Sequence, residues 1–371
     1  MNIYQELGVP TLINAAGTVT RYGGSVMAPA VLDAMREASG EFCKLDDLQE
    51  KIGQRIAKIL DVQAAYVTSS ASAGLALTTA ATMAGKNPKR IAQLPDTVGM
   101  KSEVIIQKLH RIDYDQAIRL AGATLVEIDD DGRPPVDGML TAINKNTAAL
   151  FCMAHCLGEK ASVDFESLVS ISRETGVPLI VDAASECPPL SALSRFCKAG
   201  ADLVIFSGGK SLMGPQSTGL IVGRSDLIEA CAANGNPFAA IGRPMKVSRE
   251  EIVGFLTALE LYLERDHDKD HDRWESQIQH IAEKLQVFPC VDLIRLTRSE
   301  TYTVPLLGVR LRGNTSFTKS DLIVGLESHQ PIVVVSEFVI DDGIVINPHQ
   351  LEPGQEIVVA DRLSTVIRNL T

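Results

Sequence analysis

Two hydrophobic rhythms alternate along the first 223 residues of this chain. Short apolar runs at 64–68, 103–107, 123–128, 148–153, 177–181, 203–206 and 219–223 predict strands. Between them, apolar residues recur at helical spacing over 29–38, 45–60, 75–84, 114–121, 164–175 and 192–199. Strands that are apolar on both faces, separated by amphipathic helices, predict an α/β fold with a mainly parallel sheet covered on both sides. After Gly223 the texture changes. Breakers cluster at 234–237 and 242–246, and a long helical pattern over 249–265 runs into the charged stretch 264–273, read as a solvated helix face because its signs alternate. Strand patterns at 304–311, 332–335 and 343–346, with helical ones at 320–328 and 357–367, predict a smaller α+β domain. The expected division is an N-terminal arm over 1–25, a large domain over 26–245 and a small domain over 246–371.

Composition changes this picture little. Of 371 residues, 45% are hydrophobic and 22% charged, as in ordinary globular proteins, and the net charge of −11 argues against a nucleic-acid partner. The N-terminus has no basic stretch followed by an apolar one, and no apolar run approaches the ~20 residues of a membrane span. Seven scattered cysteines form no C-x-x-C pair, and the expectation is a cytoplasmic protein with reduced thiols and no bound metal. Cys152 and Cys156 bracket His155, an arrangement read as a strand end rather than a zinc site. Asp129-Asp130-Asp131-Gly132 is read as a solvated turn, since no further ligands follow at calcium-loop spacing.

The chemistry concentrates where strands end. The run Leu203-Val204-Ile205-Phe206 stops at Ser207-Gly208-Gly209, delivers Lys210, and continues through Met213-Gly214-Pro215-Gln216. An earlier run over 177–181 ends at Asp182-Ala183-Ala184. Parallel strands present their carboxyl ends on one sheet edge, so this lysine and this aspartate face one crevice. Pyridoxal phosphate needs that pair: a lysine to form the Schiff base, and a carboxylate to keep the pyridine nitrogen protonated. The turn Ser69-Ser70-Ala71-Ser72-Ala73-Gly74 leads a strand into a helix, where free N–H groups and the helix dipole favour an anion such as the cofactor phosphate. Its hydroxyls also serve as plain helix caps. His110, after the strand at 103–107, is read either as a ring lying over the cofactor or as a polar turn residue.

Taken together, Ile13-Asn14-Ala15-Ala16-Gly17, Thr68-Ser69-Ser70-Ala71-Ser72-Ala73, Asp182-Ala183-Ala184, and Phe206-Ser207-Gly208-Gly209-Lys210 with Gly214-Pro215-Gln216 resemble the selenocysteine synthase-like group of fold-type I pyridoxal-phosphate enzymes. The stretch from Lys101 through His110-Arg111 and Tyr114-Asp115 resembles the branch typified by D-glucosaminate-6-phosphate ammonia-lyases. The resemblance implies a large domain with a seven-stranded, mainly parallel sheet, a small C-terminal domain and a homodimer or larger homo-oligomer. It implies that Lys210 carries the cofactor and Asp182 holds the ring nitrogen. It further implies that Ser70, Ala71, Ser72 and Ser207 hold the phosphate, and that His110, Arg111 and Ala184 lie near ring or substrate. The acidic chain departs from tRNA-acting members, and Gly209 stands where those carry an acidic residue before the lysine.

The expected reaction is α,β-elimination of ammonia from a small amino acid or amino-sugar acid, with Lys210, Asp182 and His110 as catalytic candidates. Arg21, Arg111 and Arg243 are candidates for an acid group of the substrate, each equally readable as a surface ion pair. A pyridoxal-phosphate aminotransferase, racemase or aldolase would share the first steps, and a non-catalytic binding protein would share the scaffold alone.

Overall fold

The computed structural model describes residues 2–129, 135–296, 302–313 and 315–371. The Asp129–Gly132 turn therefore lies outside the described residues from Asp130 onward. The chain forms two compact units, Met27–Glu264 and Met1–Val26 with Arg265–Thr371.

The larger unit is built on a seven-stranded sheet in the order Ala64–Thr68, Gly219–Gly223, Leu203–Ser207, Leu179–Asp182, Thr147–Met153, Glu103–Gln107, Thr124–Ile128. Only Gly219–Gly223 runs against its neighbours; every other pairing is parallel. Because strand side chains alternate faces, each central strand serves two cores. Val204 and Phe206 pack with Ile52, Ile56, Leu168 and Phe255 on one side. Leu203 and Ile205 pack with Leu75, Ile118 and Cys231 on the other. Continuous apolar runs in the sequence are the signature of this double burial.

The helix Ala71–Ala84 is buried around nearly its whole circumference. Gly74 lets it approach the sheet, since a Cβ there would lie 2.8 Å from Ile205 Cγ2. The open edge of Ala64–Thr68 is closed by a side chain. Gln49 Nε2 donates to the Val67 carbonyl at 2.7 Å and Gln49 Oε1 accepts the Val67 N–H at 3.3 Å, so one amide imitates a neighbouring strand.

The second unit holds a three-stranded antiparallel sheet, Gly343–Ile346, Leu306–Leu311, Val291–Leu296, backed by the helices His267–Leu285 and Gln355–Leu370. The N-terminal segment contributes a strand of its own, Leu12–Ala15, parallel to Ile332–Val335 with Leu12 opposite Ile332. The helical pattern over 249–265 is the helix Arg249–Glu264, and most of the charged run after it lies in a second helix, His267–Leu285. Asp266 caps this second helix by accepting the Lys269 N–H at 3.1 Å. The charged run is not wholly a solvated face: Asp270 is buried and paired with Arg273 at 2.8 Å, because this helix turns Asp270, Trp274 and Gln277 inward. No described helix is long and apolar enough to cross a membrane.

Candidate active site

Asp182 closes its strand opposite Ile205 of the neighbouring parallel strand, and Lys210 follows five residues beyond Ile205. Both groups thus leave the sheet at its carboxyl edge. Lys210 Nζ donates to Ser185 Oγ at 2.6 Å, which brings the amine onto the segment that follows Asp182. The Asp182 side chain is buried, and its Oδ1 accepts the Ala184 N–H at 2.9 Å. Burial pushes this carboxyl above the usual carboxylate range, the Ala184 N–H and the Lys210 charge pull it back, and Glu186 pushes it up again. A buried carboxylate in that balance favours a cation brought against it, as a protonated pyridine nitrogen would be.

The lysine is delivered by a closed loop between two antiparallel strands. Gly208 N–H donates to the Thr218 carbonyl and Gly214 N–H to the Gly208 carbonyl, both at 2.9 Å. Gly209 is required by close approach, since a Cβ there would meet Gln216 Cα at 2.4 Å. The residue that stands in place of an acidic one is therefore packed against the loop's own backbone.

The return strand reaches the other end of the site. Gly219 lies opposite Ser207 on one side and Thr68 on the other. Ser70 caps the helix Ala71–Ala84, its Oγ accepting the Ala73 N–H at 3.0 Å, and the Gly74 N–H donates to the Ser70 carbonyl at 3.0 Å. Ala71 and Ser72 N–H form no hydrogen bond among the described residues, so the first turn offers two donors at the positive end of the helix. Ser72 is exposed, and Ser70 and Ser207 are half-buried. An amine, a buried carboxylate and a donor-bearing helix terminus fit the aldehyde, the ring nitrogen and the phosphate of pyridoxal phosphate.

His110 lies at the same sheet edge, bonded to Met153 opposite Asp182, but its ring nitrogens are engaged within the protein. It is fully buried, its Nδ1 accepts the Met153 N–H at 3.0 Å, and its Nε2 lies 2.9 Å from Ser162 Oγ, which donates onward to the Val163 carbonyl at 3.1 Å. Those partners fix a neutral imidazole with the proton on Nε2. Burial, reinforced by His155, lowers its pKa to about 4. With both nitrogens engaged and no exposed face, the ring braces two strand ends. His155 is the more accessible histidine at this edge, following the strand whose Met153 lies opposite Asp182.

The arginines separate as well. Arg111 bonds both Asp115, at 2.5 Å, and Glu127, so its forked donors are engaged within the protein. Arg243 is exposed in the larger unit and makes no ion pair among the described residues. Arg21 is exposed in the short turn Thr20–Tyr22 of the other unit.

Sequence reasoning missed Ser185 and Glu186. They follow the Asp-Ala-Ala triplet directly, and two polar residues leaving a buried strand end were the available signal. Cys152 and Cys156 are buried thiols pushed up by burial, Cys156 to about 11. No cluster of three or more His, Cys, Asp or Glu among the described residues could hold a metal. Two cavities in the larger unit lie elsewhere: one of about 520 Å³ beside the open edge of Ala64–Thr68, the other of about 440 Å³ at the amino ends of the central strands.

This sheet order with this lysine places the chain among the fold-type I pyridoxal-phosphate enzymes, and solved members share its architecture. A serine palmitoyltransferase from S. paucimobilis superposes over 97% of this chain and 88% of its own, with a TM-score of 0.63 at 15% identity. Residues 12–273 match L-seryl-tRNA selenium transferase, and the chain belongs to that family. It is 32% identical over 375 residues to D-glucosaminate-6-phosphate ammonia lyase from Salmonella typhimurium, covering 98% of each chain. A solved D-glucosaminate-6-phosphate ammonia-lyase matches with a TM-score of 0.85 at 30% identity, over 100% of this chain and 99% of the other. A 5'-C-glycyluridine monooxygenase-decarboxylase from Streptomyces is 34% identical over 77% of this chain and 71% of its own. The L-seryl-tRNA(Sec) selenium transferase of Carboxydothermus hydrogenoformans is 25% identical, and this chain spans 56% of its length.

Proposed function

We propose that this protein is a pyridoxal-phosphate-dependent ammonia lyase acting on a small 2-amino-3-hydroxy acid, with amino-sugar acids such as D-glucosaminate 6-phosphate foremost. The observation that carries the reading is the full-length likeness to an ammonia lyase, 32% identity over 98% of both chains. It is supported by a lysine and a buried aspartate that share one sheet edge.

The bound cofactor would supply an electron sink for charge developing at the substrate α-carbon. Ala71 and Ser72 N–H groups, with Ser70 and Ser207 beside them, would hold its phosphate at the helix terminus. Asp182 would keep the proton on the ring nitrogen, with Ala184 next to it. Lys210 Nζ would hold the cofactor covalently at rest and, once displaced by the substrate amine, take the α-proton. Arg243 is the acid-binding candidate within the larger unit, its guanidinium suited to a forked grip on carboxylate or phosphate. The α C–H and β C–O bonds break and water leaves. The enamine product, through its imine, then takes up one water and releases ammonia and a 2-keto acid. His110 enters this scheme only as a neutral brace.

The protein would act in the cytoplasm as a homo-oligomer on a small molecule, without a nucleic-acid partner. Its seven free cysteines fit a reducing compartment.

The test is to incubate the protein with pyridoxal phosphate and a panel of 2-amino-3-hydroxy acids and amino-sugar acids, measuring ammonia and 2-keto acid together. Equal amounts of both support the lyase. Transfer of the amine to an added keto acid without free ammonia would make it an aminotransferase. No turnover across the panel would leave a binding protein.

A further inference from the structure

We propose that Ser185 is the positioning residue for the Lys210 amine. This deepens the reading of Lys210 as the cofactor lysine and rests on it. A lysine side chain has four rotatable bonds, and an amine free to wander meets an aldehyde in the right geometry only a small part of the time. Here Nζ donates to Ser185 Oγ at 2.6 Å, a short contact that draws the amine toward the strand end carrying Asp182. Ser185 lies three residues after Asp182, and the intervening backbone is pinned by Ala184 N–H on Asp182 Oδ1 and by Glu186 N–H on the Ala183 carbonyl at 3.2 Å. The hydroxyl therefore sits on a short, hydrogen-bonded segment whose origin is the aspartate itself. One segment holds the carboxylate for the ring nitrogen and the acceptor that aims the amine at the aldehyde.

Ser185 Oγ has no other hydrogen-bond partner among the described residues, so its removal strands no second group. Alanine should leave the fold and the phosphate cradle intact and affect the orientation of Lys210 alone. Threonine keeps the hydroxyl.

The experiment uses cofactor-free wild type, Ser185→Ala and Ser185→Thr. The rate of covalent capture of pyridoxal phosphate is followed by absorbance. Affinity for 4'-deoxypyridoxine 5'-phosphate, which has ring and phosphate but no aldehyde, is measured alongside. In wild type, borohydride reduction and peptide mass analysis locate the adduct. The expected result is an adduct on Lys210, capture slowed about tenfold in Ser185→Ala and largely restored in Ser185→Thr, and deoxy-analogue affinity within twofold in all three. Capture by Ser185→Ala within twofold of wild type would overturn the inference while leaving the Lys210 reading in place. Parallel losses in capture and analogue affinity would mean that Ser185 merely shapes the pocket, and would also overturn it. An adduct absent from Lys210 in wild type would remove both.

Discussion

Gly219 presses against the backbone of Ser70, where a Cβ would stand 2.5 Å from the Ser70 carbonyl carbon and 2.7 Å from the Ala71 nitrogen. The strand that returns from the lysine loop is thereby wedged against the helix terminus offered to the phosphate. Gly219→Ala must displace that terminus or the strand. We expect the affinity for pyridoxal phosphate to fall at least tenfold with a lower Tm, checked by fluorescence titration and calorimetry. Unchanged affinity would separate the helix terminus from the phosphate.

The aspartate and the lysine should fail differently when altered. Lys210→Ala should lose the borohydride-stable adduct and all turnover. Asp182→Asn should still bind cofactor, because the adduct and the phosphate cradle remain, but should slow α-proton removal by about a hundredfold or more. Deuterium exchange at the substrate α-carbon measures this step directly. A near-wild-type exchange rate in Asp182→Asn would assign the ring nitrogen to another group.

The buried imidazole of His110 gives stability a defined pH dependence. Its pKa falls from 6.5 to about 4 on folding, so the unfolded chain binds a proton that the folded chain rejects between those values. That stability is present in full above pH 6.5 and is lost as pH falls toward 4. At 1.36 kcal/mol per unit it amounts to about 3 kcal/mol. His349, buried against Tyr302 and lowered to about 3, acts in the same direction. His110→Gln should lose less stability than wild type between pH 6.5 and 4, read by urea unfolding at several pH values. Parallel curves would mean that His110 titrates alike in both states.

Gln49 closes the free edge of the sheet with two hydrogen bonds to Val67. Gln49→Leu leaves a buried N–H and carbonyl without partners and should cost about 1–3 kcal/mol. It should also open the strand to pairing with other chains, so that aggregation on mild heating, followed by light scattering, rises above wild type. Equal stability and solubility would show that water or another group replaces the amide.

Much of the architecture was legible because burial on both faces leaves a plain mark. Runs such as Leu203-Val204-Ile205-Phe206 admit few readings, and the alternation with helices implies parallel pairing. The helical pattern over 249–265 ended within a residue of the observed Glu264, but the start of the next helix at His267 was hidden, because Asp266 as a cap and Asp268 as a first-turn charge look alike in a run of mixed charge. The strand Leu12–Ala15 was read only as part of an N-terminal arm, since nothing local announces a partner at Ile332–Val335, more than 300 residues away.

What the sequence alone determined is the chemistry on offer: one amine after one apolar run, one carboxylate after another, and a hydroxyl-rich turn before a helix. Those follow from local residue types and from strands that must end somewhere. Only the tertiary structure decided which groups meet. It laid the amine on Ser185, turned His110 inward to brace Met153 and Ser162, and engaged Arg111 with Asp115 and Glu127. A side chain's orientation depends on what the rest of the chain packs around it, and no spacing along the sequence encodes that.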